Sequence, residues 1–256
     1  MKDLIQEGRS IQDKFKTGFS DNTILKEAGF PKTEAEVRKA LASIGIEGVK
    51  GIKINPDLTV DIKRPGDLIT IANNSIDQLP VQFGTITCST VQIICKKLKS
   101  LVGCPKEVIG NFGVFETQIT SLKGGPIRVD GYYTAHYNKK LTSMEDMATQ
   151  VGGKIDLSFN NLTSLKGAPR VTNGGFDVNG NNLTSLEDGP LTVKGNYDCS
   201  QNDDLKSLKG APNTVGGKFM CFREKGYSDA VKKWVLKNVK AKQYIVGKWF
   251  GDTLDV

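Results

Sequence analysis

Seven copies of one short phrase, almost evenly spaced, leave few folds open to this 256-residue chain. Leu-Thr-Ser-Leu occurs unaltered from Leu162 to Leu165 and from Leu183 to Leu186, with variants beginning at Leu98, Ile119, Leu141 and Leu205 and an eroded copy at Ile76. Successive first residues lie 22, 21, 22, 21, 21 and 22 positions apart. A coil of that length cannot bury its own apolar face. It must stack on a neighbour, which makes the period that of a solenoid.

Ahead of the phrases stand alternating apolar pairs: Ile69/Ile71, Val91/Ile93, Phe112/Val114, Tyr133/Ala135, Ile155/Leu157, Phe176/Val178, Tyr197/Cys199 and, last, Phe219/Cys221. Period-two alternation puts both members on one face of a short strand, and repetition stacks the strands in parallel. The expected fold is therefore mainly β, a leucine-rich-repeat-like solenoid of about eight rungs. Five rungs carry an asparagine at the same place after the strand: Asn74, Asn138, Asn160, Asn181 and Asn202. A carboxamide both donates and accepts, so such a column can satisfy backbone groups that a bend leaves unpaired. The extra residues before Leu141 and Leu205 fall beyond this asparagine and preserve the ladder spacing. The return path, from Gly103-Cys104-Pro105 to Gly210-Ala211-Pro212, is rich in glycine and proline and is expected to be irregular.

Stacked coils need covered ends. Residues 1–50 read as a helical N-terminal cap, 51–222 as the solenoid and 223–256 as a basic C-terminal helical cap. A first helix is expected near residues 3–17. Thr33-x-x-Glu36 has the form of a capping box opening a second, with Val37, Leu41 and Ile44 on one face. Ser228 is placed to cap a last helix carrying Val231, Trp234, Val235 and Val239.

The strings Leu162 to Pro169, Val151-Gly152-Gly153 and Val215-Gly216-Gly217, with Glu36-Val37-Arg38-Lys39 and the run from Ile54 to Asp61, resemble the leucine-rich-repeat-like proteins of large tailed bacteriophages. The resemblance spans roughly residues 33–222. It implies a solenoid of phage origin and supplies no catalytic motif. The chain departs from the pattern around Thr85–Cys88, where residues are added, and at Met144-Glu145-Asp146-Met147, which replaces the Gly-Ala-Pro turn.

Between the inward pairs lie residues expected to face outward, including Tyr132, Thr134, His136, Lys154, Asp156, Asp177, Asn179 and Asp198. Asp156, Asp177 and Asp198 should stack at rung spacing, a row of like charges that needs Lys154, water or a basic partner to offset it. Glycosidase chemistry would need two carboxyl groups in unlike environments within a cleft, which a repetitive strand face does not offer. His136 shows no associated acid and nucleophile. Five cysteines without a Cys-x-x-Cys pair, and one histidine, argue for buried thiols over a zinc site. The expectation is a non-enzyme without cofactor or metal, whose strand face meets a host or phage protein. Alternatives are a virion component or assembly factor, and a nucleic-acid binder.

The last alternative rests on charge. The formal net charge is +7, and residues 218–248 hold nine Lys or Arg against two acids. Lys232, Lys233, Lys237 and Lys240 could contact phosphates, with Trp234, Tyr244, Trp249 and Phe250 as stacking surfaces. The N-terminus lacks the apolar run of a signal peptide and no stretch suits a membrane span. The expected location is the host cytoplasm or the virion, away from membranes.

Overall fold

A computed structural model describes residues 29–46 and 48–248. The helix expected near residues 3–17, and Trp249 and Phe250, lie outside the described residues. Helix α1 (Glu34–Ser43) opens at Thr33, whose hydroxyl accepts the Glu36 N–H at 3.3 Å; Glu36 in turn accepts the Lys32 N–H at 2.7 Å. Val37, Leu41 and Ile44 are buried in the end of the core, as their spacing requires.

The chain then enters the solenoid through β1 (Ile52–Ile54), β2 (Val60–Lys63), β3 (Leu68–Ile71), β4 (Phe83–Ile93) and β5 (Glu107–Val114). Two-residue strands follow: β6 (Arg128–Val129), β7 (Tyr133–Thr134), β8 (Gln150–Val151), β9 (Ile155–Asp156), β10 (Val171–Thr172), β11 (Phe176–Asp177), β12 (Thr192–Val193), β13 (Tyr197–Asp198) and β14 (Thr214–Val215). The array closes with β15 (Lys218–Arg223), helix α2 (Asp229–Asn238) and β16 (Gln243–Lys248).

Two parallel ladders run along the stack, the second in two parts. The first joins β3, β4, β5, β7, β9, β11, β13, β15 and β16, so that Phe112, Tyr133, Ile155, Phe176, Tyr197, Phe219 and Tyr244 are in register. The expected pairs occupy this ladder, facing inward. It has nine strands, one more than expected: after α2 the chain returns as β16, parallel to β15 over six residues. The C-terminal segment therefore extends the sheet as well as covering its end. Ser228 makes no side-chain cap bond to α2; Val235 and Val239 are buried, and Val231 and Trp234 are partly buried.

The second ladder corrects the expectation of an irregular return path. After each Gly/Pro turn a residue pair forms a short strand, aligning Ile86, Val108, Val129 and Val151 and then Thr172, Val193 and Val215. The valines are buried, and glycine and proline restrict irregularity to the corners. Added sequence around Thr85–Cys88 is taken up by the continuous β4, whose register shifts between Thr87 and Thr90.

Apolar side chains fill the space between ladders: Leu162/Leu165, Leu183/Leu186 and Leu205/Leu208 are buried, as are the tilted ring pair Phe112–Tyr133 and the ring stack Phe176–Tyr197–Phe219. Each large group contributes about 1.5–3 kcal/mol on burial. At the bend after the first ladder the chain takes a left-handed step at Glu116, Tyr137, Phe159, Gly180 and Gln201 (φ 53 to 63°), and the asparagine column follows. Asn138, Asn160, Asn181 and Asn202 are buried there. Asn181 Nδ2 donates to the Leu157 and Val178 carbonyls at 2.9 and 3.0 Å, and its Oδ1 accepts the Leu162 N–H at 2.9 Å. Asn202 repeats this one coil on, and Thr117 takes the place of asparagine one coil before Asn138. Asn74 is exposed, and among the described residues its side chain holds the Lys96 N–H alone, at 3.1 Å.

Candidate functional site

The first ladder brings Thr134, Asp156, Asp177, Asp198 and Met220 side by side in consecutive coils. The aspartate row expected from spacing is therefore present, but it is half-buried rather than open. The Asp156 and Asp177 side chains are 19% and 15% exposed, and Ser158 and Ser200, two residues on from Asp156 and Asp198, are buried. Lys154, two residues before Asp156, spans two coils. Its Nζ donates to Asp156 Oδ2 at 2.9 Å and to Asp177 Oδ2 at 2.8 Å. Within each coil the other oxygen is tied to the residue two ahead: Asp156 Oδ1 accepts the Ser158 hydroxyl at 2.6 Å, and Asp177 Oδ1 accepts Asn179 Nδ2 at 2.6 Å. Asp198 Oδ1 accepts the Ser200 N–H at 2.9 Å.

These surroundings separate the acids. Burial opposes ionisation of Asp156, but the Ser158 hydroxyl and Lys154 ammonium outweigh it and hold the carboxyl below its ordinary value. Burial likewise opposes the Lys154 charge and is outweighed by hydrogen bonds to Asp177 and Asp156, so the ammonium is held above its ordinary value. Lys154 hydrogen-bonds Asp156 and Asp177, and reaches Asp198 only weakly through its charge. Burial raises the Asp198 carboxyl, with the Asp177 charge adding to the rise and the bonds to Ser200 only partly offsetting it.

Aromatic side chains flank this row. Tyr132 is 58% exposed and Tyr137 47% exposed. His136, expected as an exposed polar residue, is half-buried between Phe115 (ring centroids 4.8 Å) and Tyr137 (4.9 Å). Tyr137 stacks on Phe159 at 5.1 Å with planes 5° apart, and Lys139 Nζ sits 5.9 Å from the Tyr137 centroid. Phe159 lies over Gly180, where a Cβ would come 2.6 Å from the ring.

On α2 and just beyond it, Lys233, Lys237 and Lys240 are exposed and Lys232 is half-exposed. Trp234 and Tyr244 pack against the core, and the Tyr244 hydroxyl donates to the Val239 carbonyl at 2.7 Å. All five thiols are buried; burial pushes Cys88 up to about 11. Among the described residues no group of three or more His, Cys, Asp and Glu is placed to hold a metal ion, and no helix is long and apolar enough to cross a membrane.

One surface feature was missed in the sequence. The second ladder stops after β8 and resumes at β10, so an edge of the 13-stranded sheet faces an edge of the separate three-stranded sheet. Between other coils Leu191 N–H bonds the Arg170 carbonyl and Lys194 N–H the Thr172 carbonyl; the corresponding bonds from residues 170–174 to 149–153 are not made. A half-open cleft of about 350 Å³ lies there, reaching inward to Ile155. The sequence signal is an inversion: Thr192-Val193 and Thr214-Val215 become Val171-Thr172, which leaves Val171 53% exposed and puts Thr172 in the buried valine position.

Compared with known proteins, the chain matches no protein family, no curated protein and no solved structure.

Proposed function

We propose that this β-solenoid is a non-enzymatic interaction module of a bacteriophage, presenting the first-ladder face around Tyr132, Thr134, His136, Asp156, Asp177, Asn179 and Asp198 to a host or phage protein. The observation that carries this reading is a rigid polar row bordered by exposed tyrosines. Side chains already held by Lys154, Ser158 and Asn179 lose little freedom on binding, and exposed aromatic rings are common anchors of protein interfaces. Phage origin rests on the repeat strings alone, and with it the expected setting in the host cytoplasm or virion.

The test is affinity capture from infected-cell lysate, with and without nuclease, comparing wild type with a Tyr132→Ala/Tyr137→Ala variant. Recovery of one defined host or phage protein that survives nuclease and drops about tenfold or more with the variant, the effect of losing an anchor of about 1.4 kcal/mol or more, is the expected result. A phage structural protein would make the chain a virion or assembly component. Equal recovery by both proteins would refute this face as the docking surface, and nuclease-sensitive recovery would move the site to Lys232, Lys233, Lys237 and Lys240.

A further inference from the structure

We infer that the cleft between β8 and β10 binds an extended peptide segment, the partner's main chain completing hydrogen bonds that the second ladder leaves open. This rests on the reading above that the partner is a protein, but it concerns a different face and different chemistry. Four observations carry it.

The two edges are complementary. Along the second ladder, N–H groups of each coil point to carbonyls of the coil before, as Leu191 to Arg170, Lys194 to Thr172 and Gly216 to Val193 show. By position, the N–H groups of residues 170, 171 and 173 and the Thr149 carbonyl are the counterparts left at the break, the Val151 carbonyl being taken by the Asn173 side chain. A main chain, which offers an acceptor and a donor in every residue, suits such an edge.

A carboxamide already spans the opening. Asn173 Nδ2 donates to the Val151 carbonyl at 3.1 Å, where the ladder elsewhere has a backbone bond, and Lys194 Nζ holds its Oδ1 at 2.9 Å. The Asn173 side chain thus imitates one peptide group in place.

The lining is electrically neutral. Its only charged side chains, Arg128 and Asp130, are paired with each other at 2.8 Å. Apart from the Lys194 ammonium held on Asn173 Oδ1, no charge at the lining is left for an ionic ligand, and an uncharged main chain needs none.

The rim is apolar where a side chain would sit. Val171 is turned outward by the inversion, close to Pro169 and Val151. Thr172 meanwhile ties its hydroxyl to the Gly174 carbonyl at 2.9 Å instead of filling the core with a methyl. The first ladder stays paired alongside, with Ile155 N–H to the Gly175 carbonyl at 2.9 Å, so the opening is confined to one side of the coil.

The experiment is an amide NMR titration of the full chain with the capped pentapeptide acetyl-Thr-Val-Thr-Val-Thr-amide and with its N-methylated counterpart, which lacks main-chain donors. A Val171→Thr/Thr172→Val variant, restoring the order of neighbouring coils, is titrated in parallel. Expected are saturating shifts confined to residues 149–153 and 170–174. They should weaken about tenfold or more with the methylated peptide, and likewise in the restored variant, for two lost hydrogen bonds. Absence of saturating shifts there in the wild type, or identical shifts with both peptides, would overturn the inference without the variant having to fold. Identical shifts in a folded restored variant would overturn it too. Because this probe needs no natural partner, its failure leaves docking on the first-ladder face untouched, and Tyr132→Ala/Tyr137→Ala should bind the pentapeptide as wild type does.

Discussion

Replacing Asn181 tests whether the asparagine column holds the coils together. Alanine removes four hydrogen bonds in a buried setting, the longest to the Asn179 carbonyl at 3.3 Å, but their loss is unequal. The Leu157 carbonyl keeps a bond from Asn160 at 2.8 Å and the Val178 carbonyl keeps one from Asn202 at 3.0 Å. The Leu162 N–H keeps nothing, since its partner is Asn181 Oδ1. One orphaned buried donor costs about 1–3 kcal/mol, and two lost but replaceable bonds about 0.5–1.5 kcal/mol each. Partial overlap of these effects gives an expected destabilisation of about 2–4 kcal/mol in urea unfolding. Asn74→Ala, at the exposed start of the column with a single bond to Lys96, should cost under about 1 kcal/mol. Asn181→Asp refines the test, because it keeps the acceptor but turns a second oxygen toward two carbonyls. At pH 7 it should be worse than alanine. Burial raises such a carboxyl, so its cost should fall as acidification protonates it and restores a donor. An Asn181→Ala protein within about 0.5 kcal/mol of wild type, or no less stable than Asn74→Ala, would refute the reasoning.

Three further outcomes follow from single contacts. Tyr197 and Tyr133 bury hydroxyls that have no hydrogen-bond partner, and Tyr197 stacks between Phe176 and Phe219, so Tyr197→Phe should stabilise by about 1 kcal/mol or more in thermal unfolding, with Tyr133→Phe similar in sign. Lys154→Met leaves Asp156 and Asp177 adjacent without their cation and should cost about 1–2 kcal/mol at pH 7. The folded-state Asp156 carboxyl is held low, so its contribution is present above the ordinary value of about 3.9 and lost as pH falls through the lower folded value; the gap between wild type and variant should narrow on acidification. Asp198 has the opposite sign. Its carboxyl is raised, so the cost of its charge grows as pH rises through the folded value, and Asp198→Asn should be more stable than wild type at pH 7 with the difference vanishing in acid. A pH-independent difference for either variant would show that charge is not the cause.

What was legible in the sequence was what repetition repeats. The inward pairs, the leucines and the asparagine column each recur at fixed offsets, and a stack copies one coil's geometry into the next, so eight first-ladder strands could be read from spacing alone. The same logic placed Asp156, Asp177 and Asp198 side by side. It could not show that Lys154 reaches two coils, or that Ser158 and Ser200 turn under the row, because these depend on rotamers rather than register. Strand β16 was hidden for the opposite reason: it follows a helix, lacks the phrase, and joins the sheet only because the β15 edge is free to accept it.

The second ladder holds the sharper lesson. Its strands are two residues long and lie beside Gly/Pro corners, so composition suggests irregular chain, although a buried valine recurs near one place in almost every coil. Once that valine column is recognised, Val171-Thr172 stands out as an exchange of neighbours that leaves composition unchanged. A valine-for-threonine exchange in the core sacrifices apolar burial and adds a hydroxyl that must find a partner, here the Gly174 carbonyl. Elsewhere the column excludes such a hydroxyl. The ladder opens where this one enters, in the middle of the stack rather than at an end where fraying would need no explanation. A break there costs inter-coil hydrogen bonds without relieving any strain in the paired first ladder. It is therefore the place where the repeat's own physics is set aside, and where a partner chain has most to restore.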